Sequence, residues 1–192
     1  MAFSSTLLKY IKKDKIGVIP TDTIYGVVAS AWSKKAVERA YKIMKRNQKK
    51  PFVILISSIK DLDNFNIKLD KNTENILKQI WPGKVSVILP VPSKKFKYLH
   101  RGTKTLAFRV PKKPSLVKLL KKTGPLISTS ANPEGKKPAE TMAEAKKYFG
   151  DKVDFYANGG KMKSLPSTLI EIKNGRLNVL RKGSGKVSKL LI

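Results

Sequence analysis

The chain has 192 residues, enough for one domain with a buried core. It contains no cysteine and a single histidine, His100, which excludes disulfides and thiolate metal sites and argues against a zinc centre. With 41 Lys and Arg against 13 Asp and Glu, the formal net charge is +28, which points to a polyanionic partner such as RNA. Only six of the basic residues are Arg (Arg39, Arg46, Arg101, Arg109, Arg176 and Arg181), and the 35 Lys are spread over the whole length. The charge therefore fits a general lysine bias equally well. The arginines are the sharper marker, because a planar, always-charged fork suits carboxylate or phosphate. No apolar run reaches 18 residues, and Met1 to Lys15 lacks the layout of a signal peptide. A cytoplasmic protein with no membrane span is expected.

Phe3, Leu7, Leu8 and Ile11 recur at helical spacing and predict a first amphipathic helix ending before Asp14. Ile16 to Ile19 reads as a short strand stopped by Pro20, which has no N–H for a ladder. The heptad Pro20-Thr21-Asp22-Thr23-Ile24-Tyr25-Gly26 then reads as a loop leading into a helix. Its hydroxyls and carboxylate can satisfy loop backbone or hold a ligand, and Gly26 permits a sharp turn or a close approach. Ser33 is predicted to cap a helix with Val37, Ala40, Tyr41 and Met44 on one face. The basic run from Lys45 to Lys50 ends it ahead of Pro51, and Phe52 to Ile56 reads as a buried strand. Asp61 to Lys71 carries a short helix and a loop, and Thr73 to Trp81 a helix stopped by Pro82-Gly83. Val85 to Leu89 is a strand, with Trp81 as a core anchor beside it. Ser93 to Thr103 reads as a basic connector with a solvated His100.

Thr105 to Val110 is a strand on which Thr105, Ala107 and Arg109 share one face. A charge in so apolar a run needs an anionic partner. That partner is either one of the 13 acidic residues or, as the sharper reading, the carboxylate of a ligand. Ser115 to Lys122 reads as a helix ended by Gly124-Pro125. The next strand runs into Ser128-Thr129-Ser130-Ala131-Asn132, with two alternate hydroxyls on one side and an amide that both donates and accepts. Thr141 to Glu144 forms a capping box for a helix ending at Gly150, and Val153 to Ala157 is a strand. Asn174-Gly175, between Ile170–Lys173 and Arg176–Leu180, signals a type I′ hairpin. No internal repeat or low-complexity linker is present.

Several of these stretches, in the same order from about Ile16 to Gly183, resemble the signatures of the YrdC-like threonylcarbamoyl-AMP synthase family. The heptad resembles P-T-[DE]-T-x-Y-G, and Met44 to Phe52 resembles K-x-R-P-x-x-[NK]-P-[LF]. Trp81-Pro82-Gly83 resembles its W-P-G stretch, Thr105 to Pro111 its T-[VL]-[AG]-x-R-x-P, and Ser130-Ala131-Asn132 its S-A-N motif. Pro166 to Ile170 is similar to its S-T-V segment, and Leu180-Arg181-Lys182-Gly183 to its L-R-x-G. The resemblance implies one YrdC-like α/β domain over residues 1–192, a twisted mixed sheet with flanking helices and a polar, basic cleft.

It also implies an activity, that of a nucleotidyltransferase. L-threonine and bicarbonate (or CO2) give a carbamate, which attacks the α-phosphorus of ATP. Pyrophosphate leaves, and threonylcarbamoyl-AMP passes to a tRNA threonylcarbamoyl-transferase complex. By resemblance, Thr23, Arg109, Ser128 and Ser167 meet threonine, while Arg46, Lys50, Thr105, Ser130 and Arg181 meet ATP. Arg46, Lys50, Ser130 and Asn132 form the implied catalytic set. Magnesium would be held through the phosphates and not by a protein metal site. The chain departs from the pattern at Met44, where the family has Lys, at Leu55, where it has a threonine-touching His, and at Pro138, where it often has Ser. Lys45 or a lysine of the following turn is expected to supply the missing charge.

The residues themselves favour chemistry by positioning and charge neutralisation. There is no G-x-S-x-G elbow, no Walker A sequence and no G-x-G-x-x-G. Three other readings fit less well. A non-catalytic double-stranded RNA- or tRNA-binding protein of the same fold has no need of Arg109 together with the S-A-N element. Carbamoyl-adenylating domains of hydrogenase maturation accompany zinc-finger and acylphosphatase regions, and a pyrophosphate-cleaving or kinase-type enzyme carries other motifs.

Overall fold

In the computed structural model, which describes residues 3–173 and 176–187, short polar side chains set most helix starts. The Ser4 hydroxyl accepts the Leu7 N–H to open α1 (Ser5–Lys12), and that of Ser33 accepts the Ala36 N–H to open α2 (Lys34–Met44). Asp70 does the same for α3 (Lys71–Ile80) through the Thr73 N–H. The short α4 (Lys97–His100) follows a 3-10 turn. Pro114 begins α5 (Pro114–Thr123), where its missing N–H leaves no bond unmade. Thr141 caps α6 (Met142–Phe149) by accepting the Glu144 N–H, while the Glu144 carboxylate accepts that of Glu140.

The strands are β1 (Gly17–Pro20), β2 (Tyr25–Ser30), β3 (Val53–Leu55), β4 (Val85–Pro90), β5 (Thr105–Arg109), β6 (Leu126–Ser130), β7 (Phe155–Tyr156), β8 (Thr168–Lys173) and β9 (Arg176–Arg181). They form one twisted mixed sheet in the order β7-β1-β2-β6-β3-β5-β4-β8-β9. The β1–β7, β3–β5 and β4–β8 pairs are parallel and the others antiparallel. The Asn174-Gly175 turn lies outside the described residues.

The two faces of this sheet are covered unequally. On one, α2, α3, α4 and α6 bury a core that runs through Val27, Ile54, Val87, Phe108, Ile127 and Ile170. On the other, α1 and α5 cover only the half of the sheet carrying Ile19, Val28, Leu55, Leu126 and Phe155. Register carries this second face onward, because Val28, Ser128, Val53 and Ala107 lie opposite one another in successive strands. Arg109 stands opposite Leu55, at the border between the helix-covered half and the open half. No helix among the described residues is long and apolar enough to cross a membrane.

Two sequence expectations change. The heptad leads into a second strand, not a helix, and β1 and β2 pair Pro20 with Tyr25. Tyr25 to Ser30 is buried on both faces, so it carries no amphipathic period to distinguish it from a helix. His100 is buried, not solvated, because the supposed connector folds Phe96 and Leu99 into the core. Its Nδ1 accepts the Gly102 N–H, and Nε2 lies 3.3 Å from the Ser93 carbonyl, so a neutral ring protonated on Nε2 satisfies both nitrogens. Met44 is a core residue, and Lys45 follows it as an exposed left-handed cap with φ 49°. Trp81 is the expected anchor, its indole N–H donating to the Val85 carbonyl at 2.7 Å.

Because Met44 packs in the core, Met44→Lys buries a charge without a partner. The variant is expected to melt roughly 5–15 °C below the parent, for about 2–4 kcal/mol lost at this chain length. A thermal melt checks this, and an unchanged Tm would show that the position tolerates the motif lysine.

Asp154 makes a second prediction. Burial opposes its ionisation, but the hydrogen bonds from Arg39 and the Ile16 N–H, with the charges of Arg39 and Lys15, hold its carboxyl below the usual range. A depressed carboxyl stabilises the fold above its unfolded pKa of about 3.9, and that contribution is lost as pH falls through the folded value. Asp154→Asn is expected to lower Tm at neutral pH and to flatten its fall below about pH 4.

Candidate active site

The open half of the second face, beside the β1–β2 turn, holds a polar pocket of about 150 Å³. It is lined by the heptad residues Thr21, Thr23, Ile24, Tyr25 and Gly26, by Arg46 and Val53, by Arg109, by Ser128 to Ser130, and by Pro166, Ser167 and Arg181. Seven of the residues singled out by sequence therefore meet here: Thr23, Arg46, Arg109, Ser128, Ser130, Ser167 and Arg181.

The turn that forms one wall is self-supporting. The Thr21 hydroxyl donates to the Ile24 carbonyl at 2.6 Å, accepts the Thr23 N–H and lies 3.1 Å from the Thr23 hydroxyl. Tyr25 ties the turn to Asn158-Gly159-Gly160. Its hydroxyl donates to the Gly160 carbonyl and accepts the Gly159 N–H, both at 2.8 Å. A side chain at Gly159 would run into the Pro20 ring, 2.4 Å from an added Cβ. On the opposite wall, the Ser167 hydroxyl lies 2.9 Å from that of Ser86, and the Ser167 carbonyl accepts from Arg181 Nη2. Gly183 brings the L-R-x-G segment to the Pro166 carbonyl, 2.2 Å from where its Cβ would stand.

Arg109 meets an acidic residue of the chain itself. Its Nη1 donates to Asp22 Oδ1, and both side chains are almost fully buried, at 5% and 2% exposure. Arg109 Nε is buried without a hydrogen-bond partner, and among the described residues Nη2 makes no bond either. One side of the guanidinium is thus held by Asp22, while Nε and Nη2 make no hydrogen bond among the described residues.

Arg46 and Arg181 have no carboxylate partner among the described residues. Arg46 donates to the Lys50 and Pro51 carbonyls, lies 3.4 Å from the Thr129 hydroxyl and packs over the Phe52 ring. Burial pushes its pKa down. Arg181 is pushed down by burial and then by the positive charges of Arg46 and Arg109. Two guanidiniums without carboxylate partners beside the Asp22-paired Arg109, with hydroxyls between them, suit an anion.

Three other sequence candidates do not line the pocket. Lys50 is held by Glu134, whose carboxylate accepts from Lys50 Nζ at 2.7 Å and from the Asn47 N–H at 2.6 Å. Thr105 lies on the same sheet face as Arg109 but four residues, about 13 Å, away along β5. Its hydroxyl neighbours that of Thr103 at 3.4 Å. Asn132 donates to the Pro133 and Lys136 carbonyls, closing its own loop, and its Oδ1 is buried without a partner. Leu55, in the family's His position, is buried in the core beneath α1 and α5. No cluster of three or more His, Cys, Asp or Glu among the described residues could hold a metal. Sequence reasoning missed the pairing of Asp22 with Arg109, although Asp22 stands inside the heptad.

The Sua5/YciO/YrdC family model, described as "Telomere recombination", matches residues 9–183. The chain belongs to the Sua5/YciO/YrdC family. A threonylcarbamoyl-AMP synthase of Marinobacter nauticus is 32% identical over 167 residues, covering 83% of this chain and 87% of that protein. The structure of P. abyssi Sua5 complexed with L-threonine matches 93% of this chain with a TM-score of 0.85 and 27% identity. This chain spans about half of that protein, 53% of its length. E. coli YciO matches 97% of this chain and 91% of its own, with a TM-score of 0.85 and 26% identity.

An anion site predicts a ligand effect that needs no turnover. Pyrophosphate at about 100 times its Kd is expected to raise Tm by roughly 5–10 °C, from about 2.7 kcal/mol of linkage. Arg46→Ala with Arg181→Ala should abolish the shift. A shift that persists in the double variant would move the site elsewhere.

Proposed function

We propose that this chain is an L-threonylcarbamoyladenylate synthase, forming threonylcarbamoyl-AMP and pyrophosphate from L-threonine, bicarbonate or CO2, and ATP. The observation that carries the reading is one pocket lined by a buried guanidinium held by Asp22 beside two guanidiniums without carboxylate partners among the described residues, in a chain of this family. Arg109, whose Nη2 makes no hydrogen bond among the described residues, is the cation assigned to the threonine carboxylate, with Thr23, Ser128 and Ser167 supplying hydroxyls around it. Arg46 and Arg181, with Ser130, face the phosphates and take up the charge that develops as pyrophosphate leaves. The carbamate on the threonine nitrogen then attacks the α-phosphorus, a reaction in which positioning replaces covalent catalysis.

Lys50, Thr105 and Asn132 belong to this proposal as outer residues. Thr105, on the same sheet face as Arg109, is assigned to the nucleotide by its family position alone. Lys50 reaches the phosphates only by leaving Glu134. Asp22 is the one carboxylate in the turn and is already taken by Arg109 and the Lys112 N–H, so magnesium would enter as a ligand of the phosphates. The product would pass to a tRNA threonylcarbamoyl-transferase complex, and the excess lysines would give salt-sensitive, sequence-tolerant attraction to tRNA. A non-catalytic RNA-binding role would leave the Arg109 pocket without a purpose.

Pyrophosphate release from ATP is expected only when L-threonine and bicarbonate are both present. Release independent of threonine, or none with both, rejects the assignment. Arg109→Lys replaces a fork by a point charge and is expected to lower kcat/KM for threonine roughly 30- to 900-fold, about 2–4 kcal/mol, with a smaller effect on ATP.

A further inference from the structure

We infer that Asp22 is a positioning residue for substrate recognition, a two-acceptor carboxylate that fixes Arg109 in the wall of the pocket. This rests on reading the pocket as the threonine site. The carboxylate is buried in the turn between β1 and β2, and each oxygen has its own donor. Oδ1 accepts from Arg109 Nη1, and Oδ2 accepts the backbone N–H of Lys112 at 2.9 Å. The tie is returned from the other side, where Lys113 Nζ donates to the Pro20 and Thr21 carbonyls at 3.0 and 3.1 Å. The heptad and the segment between β5 and α5 are thus fastened to each other by three bonds, beside the bond from Arg109 itself.

This arrangement has two consequences for the guanidinium. Its charge is compensated before any ligand arrives, so a buried arginine is tolerated in an apolar strand. Its long side chain is already fixed before a ligand binds, with no hydrogen bond at Nη2 among the described residues. An amide cannot replace Asp22. Asparagine offers one acceptor oxygen and turns an NH2 toward the second donor, so either the Arg109 or the Lys112 contact is lost.

The test is steady-state pyrophosphate release by the whole chain and by Asp22→Asn and Asp22→Glu, varying L-threonine and ATP separately, with a thermal melt of each protein. L-threoninol, which lacks the carboxylate, is included as a competing ligand. Asp22→Asn is expected to raise the threonine KM at least about tenfold, while the ATP KM stays within about twofold. Glutamate, which keeps both acceptors and the charge, should recover part of the loss. The parent should bind threonine far better than threoninol, and Asp22→Asn should erase most of that preference. The inference is overturned if the asparagine variant leaves the threonine KM unchanged, raises both KM values together, or keeps the preference over threoninol. It is equally overturned if neither variant folds, since Asp22 would then be a fold element alone. A parent that shows no threonine dependence instead rejects the proposed function, and the role of Asp22 falls with it.

Discussion

A guanidinium buried on the inner face of an apolar sheet is the constraint to which the rest of this molecule answers. Arg109 stands opposite Leu55 in the register, where a lone charge would be strongly destabilising. Asp22 offsets it, and for Asp22 to reach across, β1 must end at Pro20 and return at once as β2. The tight turn then has its own requirements, met by the Thr21 hydroxyl inside it and by the Tyr25 hydroxyl behind it. The β1–β2 wall of the pocket and the position of the arginine both answer to that buried pair.

The distribution of arginine partners separates structure from chemistry more clearly than the total charge does. Arg39 is matched by Asp154, and Arg101 by Glu38 while it lies over the Tyr41 ring. Both are away from the pocket, and each joins elements distant in sequence. Arg46 and Arg181 meet only neutral oxygens, and both face the pocket that Arg109 also lines. Charge left unmatched by the protein is thus collected where an anionic substrate can complete it. The abundant lysines add a general positive field that favours the arrival of anions but does not select among them.

The uneven covering of the sheet is what makes room for this. Helices α1 and α5 end their coverage near β3, so the same face that buries Leu55 and Leu126 presents Ser128, Val53 and Ala107 to the open side. Loop elements complete the enclosure. Glu134 bolts the basic turn after α2 to the S-A-N loop, and Gly183 packs the last motif against Pro166.

Much of this was legible in the chain itself, because the signals are local. Ser33 and Thr141 announce helix starts through side chains that reach only three residues ahead. Period two places Arg109 and Ala107 on one face, and a charge in such a strand demands an anion wherever it folds. The order of short motifs also sufficed for the family and for seven of the residues that meet in the pocket. Other features depend on what lies across space, and no local pattern encodes them. Tyr25 to Ser30 is a strand because neighbours bury both of its faces, and His100 is buried because its connector packs Phe96 and Leu99 inward. Lys50 is turned from the pocket by an acid 84 residues away. The sequence by itself determined that Arg109 needs a negative partner. Only the tertiary structure decided that Asp22 supplies it, since a buried charge is satisfied by whichever carboxylate the fold brings within reach.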